Sequence, residues 1–162
     1  MRSSTRLLMT LTTVVAIGAS FAPAMPAFAQ DAGAQAAYRD IEQTLGLVPG
    51  FFKAFPPSGI AGAWSEFKSV QLSPDTKLDA KTKQLIGLAV SAQIPCQYCI
   101  YFHAAVARAN GATEEEISEA VAMAAMTRHW STVLNGMEVD LATFKQETDA
   151  VLKHGAERAA SK

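Results

Sequence analysis

The sequence predicts an all-α fold, a single helical bundle that associates into oligomers, and three observations predict it. Apolar residues recur at three- and four-residue spacings through every segment after residue 35, and no sustained alternation marks a strand. Glycine, proline and an Asn-Gly pair cut those segments at helix-like lengths. Alanine-rich stretches at 79–92, 97–110 and 115–126 permit close helix contact, and their small side chains suggest subunit packing.

The first part of the 162-residue chain reads as a targeting segment. Arg2 and Arg6 form a basic start, residues 7–21 are apolar, and Ala27-Phe28-Ala29 fits a cleavage site. Residues 1–29 are therefore expected to be a signal peptide and residues 30–162 one domain, periplasmic or secreted. An uncleaved anchor is the alternative. Removing Arg2 and Arg6 leaves 12 basic residues against 15 acidic ones, a net charge of −3. That balance argues against nucleic-acid binding, which needs a basic footprint. No membrane association is expected once the leader is gone.

Residues 31–35 are small and polar. Ala36–Leu45 follows as a first helix, with Ala37, Ile41 and Leu45 at four-residue spacing and Gly46 as its stop. Phe51–Phe55 is a short apolar piece between two turns. Ile60–Gln71 predicts a second helix with Trp64, Phe67 and Val70 inward, stopped by Ser73-Pro74. Asp79–Ala92 is the third, with Leu85, Leu88, Ala89 and Ala92 as its stripe and Lys77, Lys81 and Lys83 in water. Pro95 suits the first position of the next helix, which runs to Asn110 and ends at Gly111. Thr113 and Glu116 form a capping box. The helix after it turns Ile117, Ala120, Val121 and Ala124 inward. A last long helix is expected from about Thr127 to Val151, with Trp130, Val133, Leu134, Met137, Leu141 and Phe144 as its apolar positions and a frayed tail from His154.

The chemistry concentrates in Pro95-Cys96-Gln97-Tyr98-Cys99-Ile100-Tyr101-Phe102-His103. The only two cysteines stand three positions apart, and at about 100° per residue His103 falls on their helix face. Backbone N–H groups and the dipole at a helix start stabilise a thiolate. An imidazole one turn further on can accept the thiol proton or, protonated, stabilise the thiolate. The pattern is that of a redox dithiol with a base, and an oxidising compartment makes it a disulfide at rest. Two other readings stay open here. A zinc site would need two more ligands than the cysteines supply. An inert structural disulfide would be a poor staple, because so short a loop removes little chain entropy. His129, beside Trp130, and His154, in the tail, read as structural.

Residues 78–91, beginning Leu78-Asp79-Ala80-Lys81-Thr82-Lys83-Gln84, then Cys96-Gln97-Tyr98-Cys99 through His103, then Gly111-Ala112-Thr113 with Glu115-Glu116-Ile117, closely resemble the carboxymuconolactone decarboxylase superfamily. Within it the match is to the alkylhydroperoxidase AhpD branch. The resemblance implies a helical homo-oligomer, a trimer or hexamer; no cofactor or metal is expected. It implies that Cys99 attacks a hydroperoxide, that Cys96 resolves the sulfenic acid as a disulfide, and that His103 belongs to the proton relay. The AhpD pattern has a glutamate twelve residues before the first cysteine, and here that position is Gln84. An amide holds a hydrogen bond but cannot pass a proton as a carboxylate does. Gln84 is thus a hydrogen-bonding site residue, with Glu66 as a possible substitute base, and slow peroxide turnover is the expectation. Export would separate the protein from the lipoyl-bearing adaptor of cytoplasmic members, leaving an unidentified thiol–disulfide partner as electron donor. The alternatives are disulfide exchange without peroxide turnover, and a non-enzymatic oligomeric scaffold.

Overall fold

The computed structural model describes the backbone of residues 27–161, with side chains from residue 32. Most of the expected signal peptide, residues 1–26, lies outside the described residues. Among those described there is no strand, and no helix is long and apolar enough to cross a membrane. The helices are α1 (Ala27–Leu45), α2 (Gly50–Lys53), α3 (Ile60–Glu66), α4 (Ala80–Gln93), α5 (Gln97–Ala109), α6 (Glu114–Gly136) and α7 (Leu141–Ala160). A π-helical segment, Phe67–Leu72, continues α3. The chain forms two compact units, one ending at Trp64 and the other beginning at Ser65.

In the first unit α1 starts nine residues before the expected Ala36, since alanine and glutamine favour helix throughout its N-terminal half. Ala37 and Ile41 are buried as the spacing requires, whereas Leu45 is exposed beside the terminating Gly46. Gly46 takes φ 81°, a left-handed conformation that costs glycine little. Trp64 is buried, and its indole N–H donates to Asp40 Oδ2 at 2.7 Å. Its ring meets Phe52 edge-on, centroids 5.4 Å apart.

The second unit is built on α4, which packs against both α5 and α6. Asp79 caps α4 by accepting from the Thr82 N–H at 2.7 Å. The buried line of α4 is Gln84, Leu88 and Ser91. It is rotated from the expected apolar stripe, of which Leu85, Ala89 and Ala92 are only half-buried. Burial of Leu88 contributes roughly 1.5–3 kcal/mol. Lys81 is less wet than expected, because its ammonium pairs with Glu116 of α6 at 2.6 Å. Glu116 also accepts from the Thr113 N–H, and Thr113 Oγ1 accepts from the Glu116 N–H, completing the capping box.

Two boundaries depart from the sequence reading. Ile60–Gln71 is not one regular helix, because from Phe67 the bonding widens until the Ser73 N–H reaches Lys68 O, five residues back. Val70, expected inward, is exposed there. The second departure is at the C-terminus. No break occurs near Thr127; α6 runs on to Gly136, and a turn at residues 137–140 starts α7, which stays helical to Ala160. That turn is a Schellman motif, with Glu138 N–H bonded to Asn135 O and Val139 N–H to Leu134 O. Glu138 sits at φ 51°, and Asp140 then caps α7 by accepting from the Thr143 N–H. Trp130, Val133, Met137, Leu141 and Phe144, expected inward, are all exposed.

Candidate functional site: a dithiol with a histidine

The α4–α5 junction places the cysteines. The Ile94 N–H closes α4 on Val90 O, and the Cys96 N–H donates to Ser91 O at 3.1 Å, so the turn through Pro95 is tied at both ends. Pro95 is not the first helical residue, as expected, but precedes the cap. Cys96 is the N-cap of α5, and its sulfur accepts from the Cys99 N–H at 3.3 Å. The sulfur takes the place of the oxygen that a serine or aspartate would supply. Cys96 and Cys99 form a disulfide, with Cα atoms 5.3 Å apart. Both are partly accessible, and Tyr98 and Tyr101 beside them are almost fully exposed.

His103 lies one turn beyond Cys99 on the same face of α5. Its Nδ1 is 2.8 Å from Gln84 Oε1, and Gln84 is fully buried on α4. Because that oxygen only accepts, Nδ1 carries the proton and Nε2 keeps its lone pair. Burial holds the His103 pKa below its ordinary value, and Gln84 brings no negative charge to offset this. The neutral imidazole is therefore favoured, the form that can take a proton. Glu66, the candidate substitute base, is exposed near the end of α3.

One positioning residue escaped the sequence reading. The His103 ring lies close against Gly87, where a Cβ would come within 2.7 Å of Nε2 and closer still to Nδ1 and Cε1. Only glycine leaves room for the ring at this distance. The signal was available, since an isolated glycine inside a helix costs up to about 1 kcal/mol relative to alanine and so implies a packing reason.

A cavity of about 370 Å³ opens beside the ring, lined by His103, Gly87, Ser91, Lys83 and the apolar Val70, Leu78, Ile86, Val90 and Ile94. Lys83 borders it, and its ammonium donates to Ser73 O at 2.9 Å. The structure thus brings Gln84 and His103 into contact and sets both cysteines on the His103 helix. His129 stacks edge-on with Trp130 on the exposed part of α6, and His154 is exposed on α7.

Comparison with known proteins agrees with this arrangement. The described fold is similar to the AhpD alkylhydroperoxidase core of Rhodospirillum rubrum, with a TM-score of 0.60 and 27% identity over 70% of this chain and 86% of that one. A stretch of 54 residues, 33% of this chain, is 48% identical to "Uncharacterized protein 4 in cox locus" of Paracoccus denitrificans. The matched stretch spans about half the length (49%) of that relative. Residues 59–140, half of the chain and all of α4 and α5, match the family model, so the protein belongs to the carboxymuconolactone decarboxylase family.

Proposed function

We propose that the protein is an exported, cofactor-free oxidoreductase that reduces hydroperoxides through Cys96, Cys99 and His103. The observation that carries the reading is the Cys96–Cys99 disulfide at the start of α5, with His103 one turn on and held by Gln84. The Cys99 thiolate attacks the peroxide O–O bond, giving the Cys99 sulfenic acid and releasing the alcohol after protonation. The Cys96 thiolate displaces hydroxide, which leaves as water with one proton, and the disulfide forms. Two electrons and two protons from an external dithiol restore the pair. His103, neutral with Nε2 free, is suited to take the thiol proton and return it to the leaving oxygen.

The buried amide of Gln84 favours a second reading, disulfide exchange with protein partners. Exchange needs a stabilised thiolate and an exposed surface, and it needs no carboxylate relay. Tyr98 and Tyr101 provide such a surface, and Cys96 at the cap is the sulfur the helix start would stabilise. The two readings separate in one experiment. The reduced protein and its Cys99→Ser variant are mixed with a small alkyl hydroperoxide, and free thiols are counted over time. The peroxidase reading expects rapid loss of both thiols in the wild type and none in the variant. Loss no faster than for free cysteine removes that reading and leaves exchange or an inert scaffold.

A further inference from the structure

The cavity beside His103 has two ends of different chemistry. Lys83, Gly87, Val90 and Ile94 follow one another along one face of α4, and all of them border it. Val70 and Leu78 wall it from the segment before α4. Among the residues that line it only Lys83 is charged, since the neutral form of His103 is favoured. Lys83 is half-buried, donates to Ser73 O at 2.9 Å and pairs with no carboxylate among the described residues. An ammonium carries three donors, so N–H groups remain for a ligand. The nearby acids Asp75 and Asp79 do not line the cavity, and Asp79 is engaged with the Thr82 N–H. The opposite end, at Ser91 and Ile94, is the dithiol end, because the Cys96 N–H donates to Ser91 O.

We propose that this cavity binds a straight-chain carboxylic acid, with the carboxylate at Lys83 and the chain along α4 past His103, and that the substrate is the hydroperoxide of such a free acid. The substrate assignment rests on the hydroperoxide reading; the binding site does not. Charge selects the headgroup. One ammonium matches one carboxylate, and the apolar walls beyond it suit methylene groups and disfavour a second charge. Length selects where the peroxide sits. His103 meets Gln84 and Gly87 while Cys96 meets Ser91, so α5 runs antiparallel to α4, and Cys99, one turn before His103, stands nearer the Ile94 end. At 1.5 Å rise per residue, Lys83 and the level of Cys99 are about 10 Å apart along α4. An extended chain advances about 1.2 Å per bond, so about eight or nine bonds separate carboxylate and peroxide. The volume of about 370 Å³ lies within the range of roughly 300–1,000 Å³ usual for ligand sites. The carboxylate takes no part in the chemistry. The two thiols supply two electrons and two protons, the hydroperoxide leaves as the hydroxy acid and water, and the Cys96–Cys99 disulfide forms until the external dithiol reduces it.

Binding is read first, without turnover. Nonanoate and nonylammonium, equal in chain length and opposite in charge, are titrated into the full-chain protein while NMR follows the rings of its histidines. Nonanoate is expected to shift His103, to leave His129 and His154 in place, and to bind about tenfold more tightly than nonylammonium. Lys83→Gln is expected to abolish that preference. Arg128→Gln alters the other apolar hollow, about 490 Å³ between α4 and α6, and is expected to leave nonanoate binding unchanged. No shift at His103, equal binding of the two probes, or loss of nonanoate in Arg128→Gln would each overturn the proposal. Turnover is read second. Reduced protein is expected to lose its thiols to 9-hydroperoxynonanoate about tenfold faster than to the methyl ester, and the ratio to fall toward one in Lys83→Gln. The ester also stands for an acyl chain still held in a lipid, so the same comparison separates that source from the free acid. A ratio near one in the wild type would overturn the substrate assignment and leave the peroxidase reading intact. Thiols inert to both hydroperoxides, with nonanoate still bound through Lys83, would uphold the site and refute the peroxidase reading. Should Lys83→Gln fail to fold, the paired probes on the unaltered protein still decide.

Discussion

At residue scale the site turns on one atom type at position 84. An amide there fixes the tautomer of His103 but contributes no charge, so burial alone acts on the imidazole and lowers its pKa. The sign follows by linkage. The unfolded chain takes up the His103 proton first, near pH 6.5, so the stability that the neutral ring contributes is full above that pH. It is lost as pH falls through the lower folded value. Gln84→Glu is expected to reverse the shift, because a carboxylate accepting from Nδ1 favours the imidazolium. An NMR titration of the His103 ring should show its pKa rising in the variant. Peroxide turnover should rise with it, and no gain in turnover would refute the broken-relay account. Much of this was legible beforehand. The spacing of Cys96, Cys99 and His103 is a helical address, and the family pattern pointed to Gln84. The role of Gly87 was not legible, because what it makes room for lies on another helix, and no local periodicity reports that.

The element scale shows where sequence patterns run out. Helix α4 was bounded to a residue at its start because Asp79 is a strong cap, and the Thr113–Glu116 capping box marked the start of α6 as plainly. The far end of α6 was misplaced. Its apolar spacing continues past Met126, and the Asn135-Gly136 pair that does mark its end lies inside the helix expected from Thr127 to Val151, while the left-handed position itself is held by Glu138 rather than glycine. A side chain in the left-handed region costs about 1 kcal/mol. Glu138→Gly is therefore expected to firm the α6–α7 turn by about that amount. Hydrogen exchange at the Val139 amide, whose bond to Leu134 O closes the motif, should slow about fivefold. Unchanged exchange would show that neighbouring contacts already relieve the strain. The π-helical segment was equally hidden, since Phe67–Leu72 carries no glycine or proline to announce a widened turn.

For the whole molecule, fold class followed from periodicity, and so did part of the core, since Ala37, Ile41, Trp64, Leu88, Ile117 and Ala124 are buried as expected; the expected positions from Trp130 to Phe144 are not. Periodicity identifies an apolar face and is silent on whether the same chain covers it. Ile41, Ile60 and Leu88 are buried, while the rows of α7 and of the outer α4 face are open. The two compact units also divide the tryptophans. Trp64 is enclosed in the first unit, against Phe52 and Asp40, and Trp130 is half-exposed on α6 in the second. The molecule therefore carries a separate optical label on each half. Emission from Trp64 should be blue-shifted and insensitive to added iodide, and that from Trp130 red-shifted and readily quenched. Trp130→Phe and Trp64→Phe, each followed through a denaturant series, should give two curves. Curves that coincide would mean that the halves melt as one body. Curves that part would assign each half its own stability, so that light alone could tell whether a partner, a reductant or a change of pH acts on the dithiol half or on the other.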